Sequence, residues 1–262
     1  MPRSPKLARI SVLVTRPHHQ AENLCQLIES YGFVAVRCPS VSIEAPSDPK
    51  ALIEKLRAID VADIVIFLSR NAVDRGIDAL RRTGVSLPLS AKVLAIGPGT
   101  ADALQKRGIT VAAIPRPPFN TEAMLQVSEL ISPKGRSIFI FQGEGGRTWL
   151  SEKLMKDGAT VSLAHCYRRA IPLAIDPKVI TYWEDYGIDL ITLTSISAAE
   201  NLWFLLRHRA TQFLQNASVI TASSRIKEGC RAIGYQGNIA ITDDASQSAL
   251  LKAIRTHKPI TR

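Results

Sequence analysis

The residues able to do chemistry in this chain stand at six short turns, each directly after an apolar run. They are Thr15-Arg16-Pro17, Ser69-Arg70-Asn71-Ala72, Gly97-Pro98-Gly99-Thr100, Gln142-Gly143-Glu144-Gly145-Gly146-Arg147, Thr194-Ser195-Ile196-Ser197 and Ser223-Ser224-Arg225. A hydroxyl at the start of a helix caps it, and a glycine there lets a ligand approach the backbone closely. Such a turn also directs free N–H groups and the positive end of a helix dipole outward, which suits anions. Taken singly, each turn is also an ordinary helix cap. Taken together, they point to a ligand bearing several carboxylates or phosphates.

Other constellations are missing. Gly97-Pro98-Gly99 lacks the spacing of a dinucleotide fingerprint, and no glycine-rich loop carries a P-loop lysine. The histidines (His18, His19, His165, His208, His257) show no metal-ligand spacing, and Asp243-Asp244 reads as a solvated loop. The expectation is therefore no cofactor and no metal. Cys25, Cys38, Cys166 and Cys230 are scattered without a CxxC pair, which favours reduced thiols over a disulfide framework. The basic opening residues lack a signal-peptide core, and no apolar run approaches the ~20 residues of a membrane helix. A cytoplasmic protein with no membrane association is expected.

Across 262 residues, 33 Lys and Arg against 23 Asp and Glu leave a formal charge of +10. That excess suits a polyanionic small molecule, a nucleic acid or an acidic surface. The basic residues are dispersed rather than gathered in runs with aromatics between them, which argues against nucleic acid.

The elements that must position the turns repeat. At an offset of 126 residues, Gly32 falls on Gly158, Asp63 on Asp189, Ser69 on Ser195, Ala72 on Ala198 and Gly108 on Gly234. A single offset over the whole length implies duplicated domains. Strands are expected at 10–15, 33–38, 63–68, 93–96 and 110–114, then at 137–141, 160–165, 189–193 and 218–222. Helices are expected at 21–30, 49–58, 72–82, 100–107 and 121–131, then at 148–156, 198–207, 226–233 and 247–254. Apolar strands alternating with helices argue for parallel sheets covered on both faces. The expected fold is α/β, with two flavodoxin-like domains.

At these same turns the chain resembles the uroporphyrinogen-III synthase family over nearly its whole length. The segments are VLVTRP at 12–17, FLSRNAV at 67–73, IGPGTADAL at 96–104 and GEGGRTWLSEKLMKDGATV at 143–161. They continue with CYRRAIP at 166–172, LTSISAAENL at 193–202 and ASSRIKEGCRAIG at 222–234. Their order and spacing, more than any one segment, carry the likeness.

The resemblance implies a discontinuous domain of residues 1–38 plus 173–262 and a second domain of 42–166. Two short linkers, 39–41 and 167–172, would join them, with a substrate cleft between the domains. It implies a monomeric lyase, a hydro-lyase whose substrate is hydroxymethylbilane, a linear tetrapyrrole with acetate and propionate arms. The reaction loses water, inverts the last pyrrole ring and closes uroporphyrinogen III. By the same resemblance Tyr167 is the candidate proton donor. The arms would meet Thr15, Arg16, Ser69, Asn71, Ala72, Gly97, Gly99, Thr100, Gly143, Arg147, Arg169, Thr194, Ser195, Ser197 and Ser223. A two-lobed protein that closes on an anionic ligand without catalysis would use the same fold and turns, and stands as the alternative.

Overall fold

The computed structural model describes residues 9–214 and 217–257, so the basic opening residues 1–8 lie outside the described part. The side chains of His18, His19 and His208 also lie outside it. The chain forms two compact units, one of Met1–Ser42 with Ala170–Arg262 and the other of Ile43–Arg169. In chain order the strands are β1 (Ser11–Val14), β2 (Val34–Arg37), β3 (Ser42–Glu44), β4 (Ile64–Phe67) and β5 (Lys92–Ala95). They continue with β6 (Ser137–Gly143), β7 (Thr160–Ala170), β8 (Leu190–Leu193), β9 (Ser218–Thr221) and β10 (Ile239–Ile241).

The discontinuous unit has the strand order β10-β9-β8-β1-β2, and its neighbours pair in parallel. Renumbered within the unit this is 5-4-3-1-2, the flavodoxin-like order, whose direction reverses between β1 and β8. In the second unit the order is β3-β7-β6-β4-β5, with β7-β6, β6-β4 and β4-β5 parallel. Here the reversal falls between β4 and β6. Ligands of open parallel sheets bind beyond the carboxyl ends of the strands at such points.

The central strands are apolar because helices cover both of their faces. β4, Ile-Val-Ile-Phe, is buried at every position. Val65 and Phe67 face a core shared with Phe139, Phe141 and the helices Pro49–Leu56, Arg70–Thr83 and Pro98–Gln105. Ile64 and Ile66 face the opposite core, with Ile138, Ile140, Met124 and the helix Trp149–Lys156. Phe67 and Phe141 stack at 4.7 Å between ring centroids. Gly76 makes room for that stack, since a Cβ there would lie 2.6 Å from Phe141 Cδ1.

The repeat reappears as an exchanged clasp. Asp63, just before β4, accepts from the Ser137 amide at the head of β6 at 2.8 Å. Asp189, just before β8, accepts from the Ser11 amide at the head of β1 at 2.8 Å, and from the Ser11 hydroxyl at 2.8 Å. Ser11 and Ser137 stand at the same 126-residue offset as the two aspartates. Each aspartate thus holds the first strand of the other copy. The copies have exchanged their opening strands, so one unit is assembled from both ends of the chain.

Several expectations are corrected. The strand expected at 110–114 is reduced to one bridge, Leu94 to Ala113. The helix expected at 121–131 stops as Thr121–Met124, because Val127 turns extended and sinks into the core before a 3-10 turn at Ser128–Leu130. The strand expected at 160–165 runs on to Ala170, so Tyr167 to Ala170 end a strand instead of forming a linker. β3, β10 and the helix Pro177–Tyr186 had no clear periodicity to announce them.

Two outcomes are expected. Asp189→Ala removes the acceptor of two hydrogen bonds and costs about 2–3 kcal/mol in urea unfolding, against about 1–2 kcal/mol for Asp63→Ala. All four cysteines are free and buried, and burial pushes the thiols of Cys38 and Cys166 up to about 12 and raises those of Cys25 and Cys230. With so little thiolate at pH 8, Ellman's reagent should react slowly with native protein and quickly after guanidinium unfolding.

Candidate functional site

The reversal point of the second unit brings three expected residues together. Ser69 ends the turn after β4, and its Oγ accepts from the Ala72 amide at 3.0 Å, capping the helix Arg70–Thr83. The same oxygen lies 3.1 Å from the hydroxyl of Tyr167. Tyr167 is 3% exposed, and its ring lies over Gly143. A Cβ on Gly143 would stand 2.6 Å from Tyr167 Cζ, so only glycine admits the ring there.

A bulge puts Tyr167 in this place. Along β6 and β7 the pairing runs Gln142 with His165 and then Gly143 with Tyr167, leaving Cys166 as the extra residue. One inserted residue exchanges the faces of the side chains that follow it, which is how bulges redirect residues beside sites. The bypassed Cys166 is buried, its Sγ 3.4 Å from the Gln142 carbonyl and 3.7 Å from that of Ala72.

The neighbouring turn lies one strand away. Gly97 caps the helix Pro98–Gln105, and Phe119 packs against Gly97, with a Cβ at Gly97 falling 3.3 Å from Phe119 Cβ. Thr100 is buried in the first turn of that helix. Arg70 Nε donates to the Gly99 carbonyl at 3.4 Å, joining this turn to that of Ser69. Asn71 and Ala72 are buried in the first turn after Ser69.

The arginines expected to clamp carboxylates have protein partners where bonds are seen. Arg147 pairs with Glu122 at 2.7 Å and Arg16 donates to the Ala245 carbonyl. Arg169 is exposed near the end of β7. The sequence places Glu144 in a candidate turn but not its partner: its carboxylate accepts from the Ser47 amide at 2.5 Å and the Ser47 hydroxyl at 2.8 Å. Those Ser47 bonds hold the Glu144 carboxyl below its ordinary range, with His165 and Arg168 adding to the effect. Nor does the sequence give the tie of Gln142, buried and 3.1 Å from His165, and it passes over Phe119. No residue type in the turn announces such loop-to-loop ties; they depend on residues about 20–100 positions apart.

In the discontinuous unit the equivalent caps are present. Ser195 Oγ accepts from the Ala198 amide at 3.0 Å and Ser223 Oγ from the Ile226 amide at 3.3 Å. Thr194 is half-buried and Ser197 exposed beside them. Thr15 is committed to the sheet, its hydroxyl donating to the Thr192 carbonyl at 2.6 Å. Ser40 and Asn201, not expected at a site, brace that turn: the Ser40 amide donates to Thr15 and Asn201 donates to Ser40.

The arrangement offers capped helix starts, a geometry that suits anions, and one buried phenol in a hydroxyl pair, a group able to donate a proton. Among the described residues no three His, Cys, Asp or Glu side chains gather as metal ligands would, and no helix is long and apolar enough to cross a membrane.

The chain is similar to a uroporphyrinogen-III synthase of Salmonella typhimurium, at 30% identity over 94% of this chain and 100% of that protein. It is 27% identical to the Escherichia coli uroporphyrinogen-III synthase over the same shares, 94% and 100%. Among solved structures, the Helicobacter pylori uroporphyrinogen-III synthetase superposes with a TM-score of 0.60 at 14% identity, covering 94% of this chain and 99% of that one. A Thermus thermophilus uroporphyrinogen III synthase superposes at 0.56 and 18% identity, covering 94% and 97%. These two likenesses bear on the fold. The uroporphyrinogen-III synthase HemD family model matches residues 22–252, and with turns, sheets and relatives in agreement the chain belongs to the uroporphyrinogen-III synthase family.

Proposed function

We propose that this protein converts hydroxymethylbilane to uroporphyrinogen III, acting as a hydro-lyase, and that it works in the cytoplasm as a monomer without a cofactor. The observation that carries the reading is the buried phenol of Tyr167, 3.1 Å from Ser69 Oγ. Ser69 Oγ accepts from the Ala72 amide and keeps its own hydroxyl hydrogen, and on this reading it donates that hydrogen to the Tyr167 oxygen. The phenolic proton is then free for the substrate.

On this reading Tyr167 donates that proton to the terminal hydroxyl of the bilane. The carbon–oxygen bond breaks with both electrons going to oxygen, water leaves, and the pyrrole nitrogen delocalises the positive charge as an azafulvene. Ser69 then donates to the phenolate that remains, which recovers its proton from the pyrrole carbon that loses one as the ring closes. Burial keeps bulk water from the donor and from the cation, and substrate binding has to part the packing over the phenol. Holding the acidic arms at strand-end turns brings the two ends of the bilane together, which favours ring closure as a unimolecular event. Ser69, Asn71, Ala72, Gly97, Gly99, Thr100 and Gly143 serve the arms in the second unit. Thr15, Arg16, Thr194, Ser195, Ser197 and Ser223 serve them in the other. Arg147 acts through its bond to Glu122 and Arg169 from the edge of β7. The dispersed positive charge favours a polycarboxylate over nucleic acid.

The test feeds freshly made hydroxymethylbilane to the purified protein, oxidises the products and separates the uroporphyrin isomers. Predominant isomer III supports the reading, and isomer I alone, the product of uncatalysed closure, overturns it. Tyr167→Phe should lower kcat about 100-fold or more, the usual loss on removing a general acid, with the fold retained. Ser69→Ala, which keeps the phenol but loses its partner, should cost about tenfold, one charge-assisted hydrogen bond. Gly143→Ala should displace the ring and approach the Tyr167→Phe loss; unchanged turnover in that variant would separate the phenol from the chemistry.

A further inference from the structure

Phe119 is an aromatic side chain kept out of either core. It is 40% exposed and holds φ +47°, a left-handed conformation shared by Arg207 alone among the described non-glycine residues. Packing of that kind recovers little, so the strain is not offset by burial. The backbone around it is fastened on both sides. The Phe119 amide donates to the Arg116 carbonyl at 3.3 Å, and Asn120 caps the helix Thr121–Met124 through the Ala123 amide at 2.8 Å.

Four residues of chain here touch two different strand-end turns. Phe119 lies on Gly97, after β5, and Glu122 pairs with Arg147, after β6. In the sheet β4 lies between β5 and β6, so the two turns that segment 119–122 touches follow the strands on either side of β4. Ser69 and its partner Tyr167 stand at the end of β4. Gly97 and Ser69 each stand two residues past the ends of the paired strands β5 and β4, and Arg70 Nε, donating to the Gly99 carbonyl at 3.4 Å, joins the two turns.

We propose that Phe119 lays its ring against the terminal pyrrole of the substrate, where its π face stabilises the cation left as the hydroxyl departs. The inference rests on the reading of the site as a hydroxymethylbilane cyclase. An aromatic face attracts a cation brought within about 6 Å of its centroid, and more strongly away from water. A flat apolar ring also excludes the water that would recapture the cation as hydroxymethylbilane. Gly97 is the floor of the arrangement, since a side chain there would push the ring away.

The experiment compares Phe119→Leu and Phe119→Trp with the unaltered protein in the isomer assay, with thermal unfolding recorded for each. Leucine keeps apolar bulk and loses the π face; tryptophan keeps the face. Phe119→Leu should lower kcat for isomer III about tenfold, the scale of one desolvated cation–π contact, and raise the share of isomer I, with KM changing less. Phe119→Trp should stay within about threefold of the original kcat, on the same scale. A Phe119→Leu protein that folds normally and keeps its kcat and isomer share overturns the proposal, as does a tryptophan variant impaired as much as leucine. Failure of the unaltered protein to form isomer III would instead overturn the functional reading, so the two failures are distinguishable.

Discussion

The aspartate clasps at the heads of the central strands are the constraint from which the rest follows. Asp189 fastens β1 beside β8, and Asp63 fastens β6 beside β4. A carboxylate accepting a backbone amide is a charge-assisted bond, roughly twice as strong as a neutral one. Here it fixes where a parallel strand begins, which fixes its register and therefore where it ends. The reversal points lie at those two pairs, so the clasps at one edge of each sheet determine the turns at the other. Because each aspartate takes the opening strand of the other copy, the exchange also dictates that one unit be discontinuous.

At the far end of β6 the pairing with β7, not that with β4, is broken. The bulge at Cys166 exchanges faces on β7, and the missing side chain at Gly143 accepts the Tyr167 ring that results. Ser69 then serves twice, as the cap of a helix and as the partner of the phenol. A structural hydrogen bond and a chemical one share an oxygen. That sharing ties the phenol to the start of the helix it stands beside.

The electrostatics favour backbone over side chains. Arg147 is held by Glu122, Arg168 by Glu44 and Arg107 by Asp74, each at 2.7 Å. Arg168–Glu44 joins β7 to β3 and Arg107–Asp74 joins the end of the helix Pro98–Gln105 to the helix Arg70–Thr83, and exposed pairs of this kind add little stability. The Arg147–Glu122 pair also holds the turn after β6 against the helix Thr121–Met124. The surplus positive charge of the sequence acts as a general field, drawing in polyanions without supplying a dedicated clamp.

Much of this was legible in the residues themselves. Apolar runs between capping residues located the central strands and most helices, the 126-residue offset exposed the duplication, and Ser69, Ser195 and Ser223 were readable as caps because capping is a local interaction. Phe119, the tie of Glu144 to Ser47, the clasps and the role of Gly143 were not readable. Each depends on a contact between segments distant in sequence, and residue type alone does not say which strand lies beside which. The broken helix after Met124 shows the same limit, since burial of Val127 outweighed the local helical pattern. The sequence by itself determined the α/β class and the anion-seeking turns, through periodicity and capping chemistry that act within a few residues. Only the tertiary structure decided the exchange of opening strands and the bulge that brings Tyr167 to Ser69, because strand pairing and register are settled by packing across the whole sheet.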